Sequence, residues 1–233
     1  PAILRARVKT HLALFDQRMA LEEQVQERTH ELEESHLHLI ECLIRAAGHR
    51  DNATGQHVLR MSHYSQHLAL AAGMPPEQAQ ILLRSAPMHD IGKVAIPDCI
   101  LQKPGKLDAT EWATMQTHAA LGAAILGDSH SPMLQMARTV ALTHHEKWDG
   151  SGYPHGLAGE AIPFVGRVVA VADVFDALTS ERPYKHAWSV DDALALLQQQ
   201  AGQHFDPALI RLFIAELPAI LAIRERFADH PQP

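Results

Sequence analysis

The sequence has little of what defines several large classes of protein. Only two of its 233 residues are cysteines, and they form no CxxC pair, which excludes a disulfide scaffold and a cysteine-rich zinc site and favours a cytoplasmic setting. No apolar run approaches the ~18 residues that cross a bilayer, and no secretory signal is visible, so we expect no membrane association. Lys and Arg (20) are outnumbered by Asp and Glu (27), which argues against binding to duplex nucleic acid.

Histidine is the residue in excess, with 17 copies, although aromatic residues make up only 5% of the chain. The 46% of hydrophobic and 20% of charged residues are those of an ordinary globular protein. The length fits one large domain with an appendage. Because the chain begins with Pro1, we expect a fragment or a processed form.

The first part of the chain predicts a long exposed helix. Proline is absent from residues 2–74, and apolar residues recur at intervals of four and seven at Leu14, Leu21, Val25, Leu32 and Leu39. Such spacing within a charged stretch is typical of a coiled coil, which would make the chain a homodimer. The alternative is a single solvated helix that docks on its own domain. We therefore predict a linker helix over residues 1–47 and a functional domain over residues 48–233.

The remainder of the chain predicts an all-α fold of short helices separated by turns. Pro76 and Pro207 stand where helices should begin, and Pro218 interrupts the last one. Residues 149–163, rich in glycine and proline, predict the longest loop. Only residues 164–171 have the density of β-branched residues that a strand would need.

Four groups of polar residues could carry chemistry: His89 with Asp90, His118, His144 with His145, and Asp173. Neutral imidazoles and carboxylates suit a divalent metal, and no thiolate competes with them. If His89 and Asp90 lie on a helix, their side chains point ~100° apart, so a shared metal would sit over the helix surface. Asp90 has two carboxylate oxygens and could bridge two metals, a pair of which can stabilise an in-line phosphoryl displacement.

The motifs around these residues closely resemble the HD-GYP family, the metal-dependent cyclic di-GMP phosphodiesterases of the HD superfamily. They are HDIGK at 89–93, HHEKWDGSGYP at 144–154, VADVFDALTS at 171–180, RPYK at 182–185 and HFDP at 204–207. The resemblance extends over residues 43–213. It implies an all-helical HD-superfamily domain that hydrolyses cyclic di-GMP to pGpG, to GMP or to both.

The resemblance also implies two divalent transition-metal ions, such as iron or manganese. The ligands of the first would be His57, His89, Asp90 and Asp173. Asp90 would bridge to the second, whose other ligands would be His118, His144 and His145. Asp90 and Lys93 would be catalytic. The substrate would contact Lys93, Arg182 and Lys185, because a net-negative protein that binds an anionic dinucleotide needs local cations. The family also places Tyr153, in the GYP loop, against the substrate.

The sequence departs from the family at position 53, where the family often has a glutamate that helps hold a third metal. Ala53 cannot ligate, which favours a two-metal centre, unless Asp51 or Asn52 reaches in instead. Without this carboxylate the site should repel a terminal phosphate less, so we expect linear pGpG to be accepted at least as readily as the cyclic form.

Residues 1–20 resemble the last helix of a response-regulator receiver domain, so we expect such a domain in the full protein. The family also links the loop containing Tyr153 to a diguanylate cyclase partner. Two other functions stay open. One is a non-catalytic receptor or adaptor for cyclic di-GMP, and the other is an HD phosphohydrolase of another nucleotide.

Overall fold

The computed structural model describes residues 55–181 and 186–228 without interruption, and residues 3, 5, 7, 9, 11–12, 14–29 and 31 near the N-terminus. The chain divides into two compact units, residues 1–43 and 44–233. Every described residue of the first unit is helical and exposed, including the predicted seam residues Leu14, Leu21 and Val25. Leu32, Leu39 and the predicted boundary at residue 47 lie outside the described residues, so the coiled coil stays a prediction.

The second unit is helical, which confirms the all-α prediction. Its helices are α1 (Gly55–Ala71), α2 (Pro76–Ser85), α3 (Asp98–Leu101), α4 (Ala109–Gln116), α5 (His118–Leu126), α6 (Pro132–Thr143), α7 (Phe164–Thr179), α8 (Val190–Gln199), α9 (Pro207–Ala215) and α10 (Leu217–Arg226). Short 3₁₀ turns cover Ala86–Met88, Ile91–Ala95 and Gly159–Ala161. In the part of the chain that the structure describes, no helix is long and apolar enough to cross a membrane.

Several helix ends follow the signals in the sequence. Asp108 accepts hydrogen bonds from the backbone N–H groups of Thr110 and Glu111, and the Glu111 side chain bonds back to Asp108, which forms a capping box for α4. Asp206 caps α9 ahead of its first residue, Pro207. Pro218 lies in the first turn of α10, where its missing N–H costs nothing.

The candidate strand at residues 164–171 is the first half of α7. Val168, Val169 and Val171 are fully buried there. A short apolar run that is buried on all sides has no periodicity by which to tell strand from helix. The surrounding helices, rather than the β-branched side chains, therefore decide the conformation.

The core of the second unit forms around α7. Phe175 of α7 meets the ring of Tyr64 from α1 at 5.7 Å and that of Phe213 from α9 at 4.9 Å, both edge to face. All three side chains are fully buried, and burial of such a side chain stabilises a fold by about 1.5–3 kcal/mol. This packing fixes α1 beside α7, the helices that carry His57 and Asp173.

Two glycines allow close backbone contacts beside these residues. A Cβ on Gly92 would overlap the backbone of His118 and Gly122 in α5. A Cβ on Gly166 in α7 would overlap the side chain of Thr143 at the end of α6. The HDIGK segment therefore lies directly on the helix that begins with His118, and α7 lies against the residue that precedes His144.

Candidate metal centre

Seven histidine and aspartate side chains gather into two groups, and within each group the potential ligand atoms lie within 4.8 Å of one another. The first group is His57, His89 and Asp173. The second group is Asp90, His118, His144 and His145. The structure thus brings together all seven side chains that the sequence predicted as ligands, and each group could hold a metal ion.

The seven residues come from five separate segments. His57 lies in the first turn of α1, and His89 with Asp90 lies between α2 and α3. His118 begins α5, His144 caps α6 and is followed by His145, and Asp173 lies in α7.

His89 and Asp90 do not lie on an α-helix. They join two 3₁₀ turns, and Asp90 has φ −102° and ψ 10°, outside the α-helical region. This bend places His89 Nε2 3.2 Å from Asp90 Oδ2, so the two adjacent side chains reach the same site.

Asp90 lies between the two groups. Its Oδ1 is 3.2 Å from His118 Nε2 and 3.6 Å from His144 Nε2, in the second group. Its Oδ2 is 3.2 Å from His89 Nε2 of the first group and 2.8 Å from Lys93 Nζ. Although burial opposes ionisation, the Lys93 ammonium and the neighbouring histidines hold the pKa of Asp90 well below its usual value. An ionised carboxylate therefore faces both groups.

Backbone carbonyls orient three of the histidines. His89 Nδ1 bonds to a carbonyl oxygen at 3.0 Å, His118 Nδ1 to one at 2.7 Å, and His144 Nδ1 to two at 3.1 Å. A carbonyl only accepts, so Nδ1 carries the proton and Nε2 presents its lone pair. This is the tautomer that ligation through Nε2 requires.

Four buried atoms at the centre have no hydrogen-bond partner among the described residues: His89 Nε2, Asp90 Oδ1, His118 Nε2 and His144 Nε2. Buried polar atoms nearly always have a hydrogen-bond partner, so four such atoms without one that converge on one place need an explanation. Three imidazole nitrogens and a carboxylate oxygen are ligand atoms for a divalent transition metal. The residues present therefore fit such an ion.

A buried ion pair supports His57. His57 Nδ1 donates to Asp176 Oδ2 at 2.8 Å, while its Nε2 faces Asp173 Oδ1 at 3.4 Å. The Arg60 guanidinium donates hydrogen bonds to Asp176 Oδ1 at 2.7 Å and to Asp176 Oδ2 at 3.0 Å, and a further one to Ser180 Oγ. Burial lowers the pKa of His57, but its hydrogen bonds to the carboxylates of Asp173 and Asp176 and their negative charge outweigh this and raise it to about 9. The same contacts with His57 and the nearby His89 keep the pKa of Asp173 low despite its burial.

The second group has a different electrostatic environment. Burial lowers the pKa of His144, and Asp90 only partly compensates. Burial, together with repulsion from His144, lowers the pKa of His145 further. These imidazoles are therefore neutral near pH 7, as metal ligation requires.

Tyr153 lies over the second group. Its ring stacks on that of His145, with 4.7 Å between centroids, and its backbone N–H donates to the His145 carbonyl at 3.2 Å. The ring centroids of His118 and Trp112 each lie 6.2 Å from that of Tyr153, in edge-to-face arrangements. Of the other predicted substrate contacts, Lys93 lies beside Asp90. Arg182, Lys185, Asp51, Asn52 and Ala53 lie outside the described residues.

Sequence reasoning gave no role to Arg60, Asp176 or Glu146. A signal existed for two of them, because Arg60 follows His57 by three residues and Asp176 follows Asp173 by three, a spacing that places side chains on one helix face. Glu146 had no comparable signal. It is buried, and its partners are backbone N–H groups of a loop, nine and eleven residues further along the chain.

Residues 41–209 match the family described as HD domain. The match covers more than half of the chain, so the chain belongs to the HD domain family, and the HD-GYP resemblance is confirmed. Membership in this family implies divalent metal binding.

Several curated relatives are similar to this chain. The 3′3′-cGAMP-specific phosphodiesterase 2 of Vibrio cholerae is 45% identical over 199 residues, which cover 85% of this chain and 38% of that protein. The cyclic di-GMP phosphodiesterase response regulator RpfG of Xanthomonas campestris is 44% identical over 217 residues, 90% of this chain and 57% of that one. A cyclic di-GMP phosphodiesterase of Thermotoga maritima is 40% identical over 209 residues, 90% of this chain and 57% of that one. The chain thus spans only part of the length of these relatives.

Two solved structures have a similar fold. A cyclic GMP-AMP specific phosphodiesterase of V. cholerae matches with a TM-score of 0.58 at 22% identity over 82% of this chain and 53% of that chain. The protein Bd1817 of Bdellovibrio bacteriovorus matches with a TM-score of 0.54 at 20% identity over 70% of this chain and 51% of that chain. At this level of identity the likeness extends to the fold alone.

Proposed function

We propose that this chain is the catalytic part of a metal-dependent phosphodiesterase that hydrolyses cyclic di-GMP to pGpG, to GMP or to both. The observation that carries the proposal is the position of Asp90, whose two oxygens face two separate groups of ligand atoms. A shared carboxylate of this kind suits two adjacent metals, an arrangement that recurs in enzymes that cleave phosphodiesters. The curated relatives, named as phosphodiesterases of cyclic dinucleotides, support the same activity.

In this proposal His57, His89 and Asp173 hold one metal, and His118, His144 and His145 hold the other. Asp90 is shared. Two bound iron or manganese ions would act as Lewis acids on the phosphodiester and would lower the pKa of water. The chain supplies orientation, since the Nδ1 bonds fix the ring planes of His57, His89, His118 and His144 before any ion binds.

The other proposed residues act on the substrate. The Lys93 ammonium, 2.8 Å from Asp90 Oδ2, would neutralise negative charge on the scissile phosphate. Tyr153 would form a wall against the dinucleotide, and Arg182 and Lys185 would bind its phosphates.

Turnover of cyclic di-GMP by the manganese- or iron-loaded chain, with pGpG and GMP separated by chromatography, tests the proposal. Product should form and should disappear when a chelator is added. His144→Ala should abolish product, whereas His130→Ala, at an exposed histidine outside the two groups, should leave turnover unchanged. Tight binding of cyclic di-GMP without product would instead support the receptor alternative.

A second candidate substrate is 3′3′-cGAMP, because one of the similar curated relatives is named for it. Both molecules are cyclic purine dinucleotides and present the same phosphodiester to the metals. Turnover of an equimolar mixture of the two would rank them, and pGpG belongs in the same comparison. Hydrolysis of a different nucleotide alone would support the alternative of an HD phosphohydrolase that acts on another nucleotide.

We also propose the setting that the sequence predicts: a receiver domain before this chain, a cyclase partner at the Tyr153 loop, a cytoplasmic location and a homodimer. The relative named as a response regulator supports the receiver domain. For the dimer, Leu21→Asp with Val25→Asp should give a monomer by sedimentation, and an unchanged dimer would place the interface elsewhere.

A further inference from the structure

Glu146 is a buried acid next to the candidate metal centre and is not one of its predicted ligands. It directly follows His145, and only 2% of the residue is exposed. Its Oε1 accepts a hydrogen bond from the backbone N–H of His155 at 2.8 Å, and its Oε2 accepts one from that of Leu157 at 2.9 Å. Each carboxylate oxygen is thus engaged by the loop that contains Tyr153.

Such contacts are strong enough to determine where a loop lies. A carboxylate removed from water is costly unless hydrogen bonds compensate, and bonds from N–H groups to a charged acceptor are about twice as strong as neutral ones. The two bonds to Glu146 join residue 146 to residues 155 and 157. Tyr153 lies inside the segment that these bonds close.

Two further contacts hold the same loop against residues 145–147. The Tyr153 N–H donates to the His145 carbonyl at 3.2 Å. A Cβ on Gly152 would overlap the backbone of Glu146 and Lys147. The Tyr153 ring consequently rests on His145, 4.7 Å between centroids, and Glu146 accepts hydrogen bonds from the segment that follows Tyr153.

We propose that Glu146 is a positioning residue, which holds the loop so that the Tyr153 ring stays over His145 and faces the bound dinucleotide. The proposal rests on the function proposed above. Glu146 acts through Tyr153, because it belongs to neither group of potential ligand atoms and its two oxygens bond to the loop.

Glu146→Gln is the sharpest test, because the amide has the same size and only one oxygen. Its NH₂ group would face one of the two loop N–H groups, and a donor cannot bond to a donor. KM for cyclic di-GMP should rise about 10-fold, the equivalent of about 1.4 kcal/mol, while kcat and metal content change little. Glu160→Gln makes the same substitution at an exposed position of the same loop and should change nothing.

A double-mutant cycle shows whether Glu146 acts through Tyr153. Tyr153→Ala alone should raise KM by a similar factor, and adding Glu146→Gln to it should raise KM no further, because coupled residues are not additive. Fully additive effects would overturn the proposal. So would loss of metal from Glu146→Gln, since the residue would then support His145 rather than the loop.

Amide hydrogen exchange gives a readout that needs no turnover. In the metal-free protein, Glu146→Gln should speed exchange in residues 153–157 and leave the amides of α7 unchanged, whereas Glu160→Gln should do neither. If wild-type protein turns over no dinucleotide, the proposed function fails. The exchange comparison then still tests whether Glu146 holds the loop that contains Tyr153. If Glu146→Gln does not fold, Tyr153→Ala decides, and an unchanged KM would sink the proposal.

Discussion

The two groups of the candidate metal centre are supported in different ways. In the first group, His57 is held by Asp176, and that carboxylate is held in turn by Arg60. In the second group, His118 and His144 are held by neutral backbone carbonyls of their own helical segments. The support of His57 is charged and spans two helices, α1 and α7, whereas that of His118 and His144, like that of His89 in the first group, is neutral and local.

This difference affects the ligands themselves. A carboxylate behind a histidine raises the basicity of the ring, and a carbonyl mainly fixes its orientation. Despite burial, Asp173 and Asp176 together raise the pKa of His57 to about 9, whereas burial lowers the pKa of His144. We therefore expect the charge of His57 to depend on Asp176 and Arg60. The orientation of His118 and His144 should instead depend on the helical structure at the start of α5 and the end of α6.

The largest expected effect comes from removing the residue that the two groups share. Asp90→Ala should deplete both metals and reduce turnover by far more than the about 100-fold that loss of an outer-sphere residue can cost. Elemental analysis should approach two ions per chain in the wild type and none in the variant. Retention of one ion would mean that Asp90 does not bridge. A third ion in the wild type would show that another ligand replaces the family glutamate at position 53.

The buried ion pair between Arg60 and Asp176 should also contribute to the stability of the fold. Arg60→Met would leave Asp176 charged and buried, and loss of one partner of a buried ion pair typically costs about 3–5 kcal/mol. Urea unfolding of metal-free protein measures the change. Arg138→Met is the matched control, because Arg138 and Asp128 are exposed and 3.7 Å apart, and such a pair contributes at most about 1 kcal/mol. Similar decreases in the free energy of unfolding of the two variants would show that burial does not determine how much an ion pair contributes to stability.

A milder change distinguishes the two metals. Asp176→Asn keeps the size of the side chain and removes its charge, so the first metal should bind about 10–100-fold more weakly, as for other outer-sphere partners. The second metal should be unaffected, because the Nδ1 atoms of His118 and His144 bond to backbone carbonyls rather than to Asp176. Metal titration should therefore show weaker binding at one site and unchanged binding at the other. Equal weakening of both sites would mean that the groups are not supported independently.

The smallest effect concerns position 53. Ala53→Glu should shift preference toward cyclic di-GMP over pGpG, or recruit a third metal, because the added carboxylate repels a terminal phosphate. The shift in the ratio of kcat/KM values should stay near tenfold, the equivalent of about 1.4 kcal/mol. Ala53→Gln adds the same bulk without the charge and should leave the ratio near that of wild type. Equal ratios in wild type and Ala53→Glu would exclude the charge effect.

Much of the centre could be predicted because its ligand residues lie in distinctive motifs. His89 with Asp90, His118, His144 with His145, and Asp173 stood out by residue type, and the family resemblance added His57. The helical fold followed from proline positions and from caps such as Asp108, which act within a few residues. The conformation of residues 164–171 did not follow, because a buried apolar run carries no local signal of its own.

The sequence by itself determined which side chains are available and that helices would carry them, because helix caps and ligand chemistry are properties of residues and near neighbours. Only the tertiary structure decided which oxygen of Asp90 faces which group, that Asp176 supports His57, and that Glu146 clamps the Tyr153 loop. Asp176 lies 119 residues from His57 in the chain. Contacts at that separation form only when α1 packs against α7, and no local pattern encodes that packing.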